Sequence, residues 1–90
     1  MPKRHIAKRH IRATKKTGGS RLIAIVSENI KRYRRFKNLK QSDLARAANV
    51  TQAALSNLES KKRSCSLEVL EKIANALDVQ PAALLMPPQL

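Results

Sequence analysis

Apolar residues recur along this chain at intervals of three and four, and they fall into five groups. Ile23, Val26, Ile30 and Tyr33 make one stripe, which predicts a helix from Leu22 to about Phe36. Leu44 and Ala45 mark the inner face of a short helix from Gln41 to about Ala48. Leu55 and Leu58, three apart, share one face of another from Gln52 to about Glu59. Leu67, Leu70, Ile73, Ala74 and Leu77 form the buried stripe of a fourth helix, from Leu67 to about Leu77. A short apolar fifth runs from Pro81 to Leu85, with Pro81 at its first position and Met86-Pro87-Pro88 ending it. The polar residues between these groups are start and stop signals. Ser20, Thr51 and Ser66 have hydroxyls that can cap the first turns of helices one, three and four. Asn38 and Asn49 tolerate the left-handed conformation that closes a helix, and Asp78-Val79 makes the turn after helix four. Val50 is apolar and fits the gap between helices two and three.

Charge changes this picture most. Nineteen Lys and Arg oppose six Asp and Glu, for a net charge of +13. Residues 1–21 hold eight cations and no acid, residues 31–40 hold six cations, and the part after Ser64 is net −2. A polyanion would therefore meet the N-terminal half. Residues 1–20 have no periodic apolar face, and Gly18-Gly19-Ser20 reads as a joint. The expectation is a flexible basic arm over 1–20, carrying Lys3, Arg4, Lys8, Arg9, Arg12, Lys15 and Lys16, followed by one domain over 21–90. Such an arm adds affinity by counterion release without reading sequence.

Composition excludes several classes. Tyr33 and Phe36 are the only aromatics, too few for a base-stacking platform. No run is long enough to span a membrane, and the arm has no apolar face to lie on one. The N-terminus has no apolar signal segment, and the single Cys65 cannot form an internal disulfide, which suits the cytoplasm. His5 and His10 have no third ligand near them, so no metal and no cofactor are expected. Paired carboxylates, a nucleophile with its base and a phosphate loop are all missing, so the chain does not read as an enzyme.

The ordered set of residues resembles the Cro/C1-type (XRE) helix-turn-helix family, which includes phage repressors. Gln41, Leu44-Ala45, Val50-Thr51, Leu55-Ser56-Asn57-Leu58-Glu59, Ser66-Leu67-Glu68, Leu70…Ile73-Ala74…Leu77-Asp78-Val79 and Ala83-Leu84-Leu85 carry the likeness, over roughly Leu22 to Leu85. It implies a five-helix, lambda-repressor-like DNA-binding domain in a bacterial or phage-encoded protein of the nucleoid. It also implies an ion pair between Arg34 and Glu59 that fixes the angle between helices one and three. Gln41 would bond a phosphate and brace Gln52, the first residue of the recognition helix. Four positions depart from the family. Asn38 stands at a usual Gly. Lys40 replaces the usual N-cap residue, at a cost of about 1 kcal/mol that Asp43 in the first turn partly offsets. The segment Ser60–Ser64 lacks the usual Gly near Lys61, and Cys65 stands at the usual Pro. The exit from helix three is thus expected to be longer or strained, with Cys65 an inert, partly buried small residue.

The B-DNA major groove admits an α-helix, and Gln or Asn can bond adenine in bidentate fashion. Gln52 and Asn57 are therefore the candidate base readers, with Ala53 against a thymine methyl and Ser56 on a base or phosphate. Lys40, Gln41, Thr51, Lys61, Lys62 and Arg63 are the candidate phosphate contacts. The expected function is a sequence-specific double-stranded-DNA-binding transcriptional regulator, a repressor acting as a homodimer. The surplus apolar surface of helix five, with Leu90, is the candidate dimer patch. Alternatives are an antitoxin bound to a toxin, a controller of a restriction–modification operon, and a coactivator that bridges loosely bound DNA to a protein such as polymerase.

Overall fold

A computed structural model describes residues 21–87. Five helices follow in order: α1 Arg21–Phe36, α2 Gln41–Ala48, α3 Gln52–Glu59, α4 Leu67–Leu77 and α5 Pro81–Leu85. The expected arm, its cations, Ser20, His5, His10 and Leu90 lie outside the described residues.

Local chemistry sets the helix ends. Thr51 Oγ1 accepts the Ala54 N–H at 3.0 Å, and Ser66 Oγ accepts the Val69 N–H at 3.1 Å. Lys40 offers no side-chain acceptor, but the Asp43 carboxylate reaches back to accept the Lys40 N–H at 3.0 Å. This is the return half of a capping box, so α2 recovers part of the capping that the Lys40 position loses. The first four helices close alike. Asn38, Asn49, Lys61 and Asp78 all take the left-handed conformation, with φ between 58° and 67°. In each case the next residue's N–H bonds a carbonyl five positions back, as in Leu39 to Arg34, Val50 to Ala45, Lys62 to Asn57 and Val79 to Ala74. These are Schellman closures made without a single glycine. At Lys61, where the resemblance would place Gly, a β-carbon sits in the left-handed region and the loop keeps the standard closure rather than lengthening.

The five helices pack around one core. Ile30, Leu44, Leu55, Ile73, Leu77 and Leu84 are completely buried, so every helix contributes at least one anchor. Each such side chain contributes about 1.5–3 kcal/mol on removal from water. α1 packs against α3 and α5, and α2 packs against α3 and α4. Leu67, from the expected buried stripe of α4, is not in it and is 81% exposed. Its rotational position on α4 matches the stripe, but as the first helical residue it overhangs the end of the core. Val50 and Cys65 are half-buried against the core. Burial raises the Cys65 thiol pKa, which keeps it in the less reactive thiol form.

Two buried polar residues of α1 hold the neighbouring helices. The Ser27 hydroxyl donates to the Glu59 carbonyl at 2.6 Å, at the end of α3. The Asn29 amide donates to the carbonyls of Leu84 (2.9 Å) and Met86 (2.7 Å), with that of Ala83 at 3.4 Å. α5 has only five residues and ends in extended backbone, so its last carbonyls have no intrahelical partner. Asn29 supplies the donors. Asn29→Leu should therefore destabilise the domain by about 1–3 kcal/mol, read as a lower urea midpoint, because buried carbonyls lose their partner. A midpoint shift near zero would mean that water satisfies those carbonyls and α5 is not held through Asn29.

Candidate nucleic-acid interface

α3 is held from behind by one charged cluster. Arg34 on α1 donates Nε to Glu59 Oε2 at 2.8 Å and Nη2 to Oε1 at 3.0 Å, a two-pronged pair. Its third nitrogen, Nη1, donates to the Leu39 carbonyl at 3.0 Å in the α1–α2 loop. Gln41 Nε2 adds a 3.1 Å bond to Glu59 Oε1. The Arg34 and Glu59 side chains are 15% and 5% exposed. One carboxylate thus joins α1, α2 and α3. Gln41 braces the last residue of α3, where the resemblance had implied the first. The buried anion of Glu59 is a far stronger acceptor than the exposed amide of Gln52.

With Leu55, Leu58 and Glu59 turned inward, the opposite side of α3 faces out. Gln52, Ala53 and Ser56 are exposed and Asn57 is half-buried. This surface carries no charge, yet exposed cations stand before α2 and after α3 in the chain. Lys40 is exposed before α2, and Lys62 and Arg63 are exposed beyond the end of α3. Lys61 differs from them: its ammonium lies 3.5 Å from Glu28 Oε2, which also meets Lys31 at 3.2 Å. Lys31, then Lys61, holds the Glu28 carboxyl below its usual pKa. Thr51 is committed as the cap of α3 through its hydroxyl. Ser27 and Asn29 went unrecognised in the sequence, although a polar side chain beside the Val26–Ile30 stripe is a signal for one that bonds a neighbouring helix. Among the described residues no group of three His, Cys, Asp or Glu side chains could hold a metal ion, and no helix is long and apolar enough to cross a membrane.

A short helix, a tight left-handed turn and a second helix with an exposed polar face define a helix-turn-helix domain. Residues 30–84 match the helix-turn-helix model HTH_3, and the chain belongs to that family, the Cro/C1 (XRE) type of DNA-binding transcription regulators. It is 35% identical over 68 residues to a hypothetical transcription factor of Neisseria meningitidis serogroup B, covering 76% of this chain and 64% of that relative's length. The crystal structure of the Neisseria hypothetical transcription factor NHTF superposes with a TM-score of 0.73 at 35% identity, covering 76% of this chain and 78% of that one. The N-terminal DNA-binding domain of SinR from Bacillus subtilis gives 0.70 at 32% identity, over 74% and 99% of the two chains. The restriction–modification controller protein C.AhdI from Aeromonas hydrophila gives 0.67 at 27% identity, over 69% and 94%.

Proposed function

We propose that this chain is a sequence-specific double-stranded-DNA-binding transcriptional regulator that places α3 in the major groove and represses by occluding polymerase. The observation that carries this reading is the pairing of an uncharged outward face on α3 with a buried brace behind it. Gln52 and Asn57 are the base readers, Ala53 and Ser56 assist them, and Lys40, Lys62 and Arg63 approach the flanking phosphates. Thr51 contributes through the turn it caps. The cations of residues 1–20 add salt-dependent affinity.

The functional unit is a twofold dimer, with two α3 helices in successive major grooves about 34 Å apart. An exposed apolar patch supports this. Leu85 and Met86 at the end of α5 are solvent-accessible, and Phe36 on α1 is 83% exposed. Phe36, Met86, Tyr33 and Pro87 line an open groove of about 500 Å³ between α1 and α5. By helical spacing, Phe36 and Asn29 lie on the flank of α1 away from Arg34 and Ser27, which face α3. A copy seated at α5 therefore leaves both recognition helices free.

Selection of bound duplexes from a random pool at physiological salt tests the reading. An inverted repeat is the expected product. Tight low-salt binding with no recovered motif would overturn it in favour of a bridging role. The likeness to C.AhdI keeps one narrower version in view, control of a restriction–modification operon. Its mark would be restriction and methyltransferase genes beside the recovered repeat.

A further inference from the structure

Three acids stand among the cations before Ser64: Glu28, Asp43 and Glu59. Asp43 caps α2 and Glu59 anchors α3. Glu28 does neither. Its side chain is 46% exposed, and the partners of its carboxylate are two ammonium groups, Lys31 at 3.2 Å and Lys61 at 3.5 Å. Exposed pairs of this kind add little to folding. Their consequence is instead where they leave the charge. Lys61 lies two residues past Glu59, the last residue of α3, in the loop whose next residues, Lys62 and Arg63, are exposed cations.

We infer that Glu28 is a positioning residue that limits phosphate binding by holding Lys61, and with it Lys31, in an internal ion pair. The inference rests on the proposed insertion of α3 into DNA, which brings the Lys61–Arg63 loop to the phosphates beside the groove. A duplex can recruit Lys61 only by displacing an anion already seated on it. Lys62 and Arg63 meet no such competitor among the described residues. The acid therefore lowers the sequence-independent share of affinity in a chain with a large cationic surplus and leaves the α3 face unaltered.

The experiment is a double-mutant cycle on the full chain, with binding to a 30-base-pair random-sequence duplex measured across a salt series. Glu28→Gln keeps the size of the side chain and removes its charge. It should tighten binding about 3–10-fold near 0.1 M salt and steepen the log K against log salt slope by up to about one unit, the signature of one more neutralised phosphate. Lys61→Gln alone should change binding less than about twofold, because that cation is already engaged. In the Glu28→Gln background the same change should remove most of the gain, a coupling that independent surface charges would not show. Glu28→Asp should stay near the parent. Additive effects, or an unchanged slope for Glu28→Gln, would overturn the inference. Failure of the unsubstituted chain to bind any duplex would instead overturn the DNA-binding reading beneath it, so the two failures are distinguishable.

Discussion

Replacing Glu59 by Leu should cost about 3–5 kcal/mol of folding stability, the characteristic loss when one partner of a buried ion pair is removed. The guanidinium of Arg34 would keep its bond to the Leu39 carbonyl but lose both carboxylate contacts in a site where its side chain is only 15% exposed. Gln41 would lose its acceptor as well. Because small domains have only about 5–15 kcal/mol of stability in total, a loss of this size removes a large share of the folded state's margin. Urea unfolding reads it directly, as a lower midpoint with an unchanged slope. The double replacement Arg34→Leu with Glu59→Leu should recover much of the loss, since no uncompensated charge remains. A cost below about 1 kcal/mol for Glu59→Leu would show that water reaches the pair and that it behaves as a surface contact. In that case α3 would be held by Leu55, Leu58 and the Ser27 bond rather than by the charge cluster.

The second large effect falls on recognition. Ala at both Gln52 and Asn57 should remove about 2–6 kcal/mol of preference for the selected site, since each bidentate base contact is worth about 1–3 kcal/mol of discrimination. Binding to random duplex should persist, because the cations are untouched. Neither substitution threatens the fold. Gln52 is exposed, and the Asn57 contact that closes α3 is its backbone carbonyl, which accepts from Lys62 at 2.9 Å. Paired titrations on the selected repeat and on a scrambled duplex separate the outcomes. Equal weakening on both would remove Gln52 and Asn57 from base reading and assign them to general affinity.

The two effects are linked through α3. A helix eight residues long is marginal on its own. Its orientation is imposed from outside, by Arg34 and Gln41 on the Glu59 side chain and Ser27 on its carbonyl. Base contacts need side chains held in a fixed register against the groove. Loosening the brace should therefore degrade discrimination even where the outward residues are intact.

Much of this was legible in the linear chain because its causes are local. Helix limits follow from the three–four spacing of apolar residues and from caps a few positions away, as at Thr51 and Ser66. Helix ends at Asn38 and Asn49 follow from one residue's tolerance of positive φ. The identity of α3 as the outward helix, and the pairing of Arg34 with Glu59, came from resemblance rather than from any local pattern. The structure supplies the geometry of that pair.

Among the described residues the sequence by itself determined the five helices, most of their ends and the uncharged face of α3, and along the chain the basic balance of the N-terminal half. Only the tertiary structure decided what depends on distance in the chain. Periodicity gives a residue's angle about a helix but not its depth along the axis, so Leu67 read as core and stands 81% exposed. Composition counts Lys61 as one more phosphate contact, but folding brings it to Glu28, 33 positions earlier. Ser27 and Asn29 look like interruptions of a helix until carbonyls 32 and 55 residues onward arrive beside them. A hydrogen bond or ion pair between remote residues leaves no periodic trace, because its partner is chosen by packing in three dimensions and not by spacing in one.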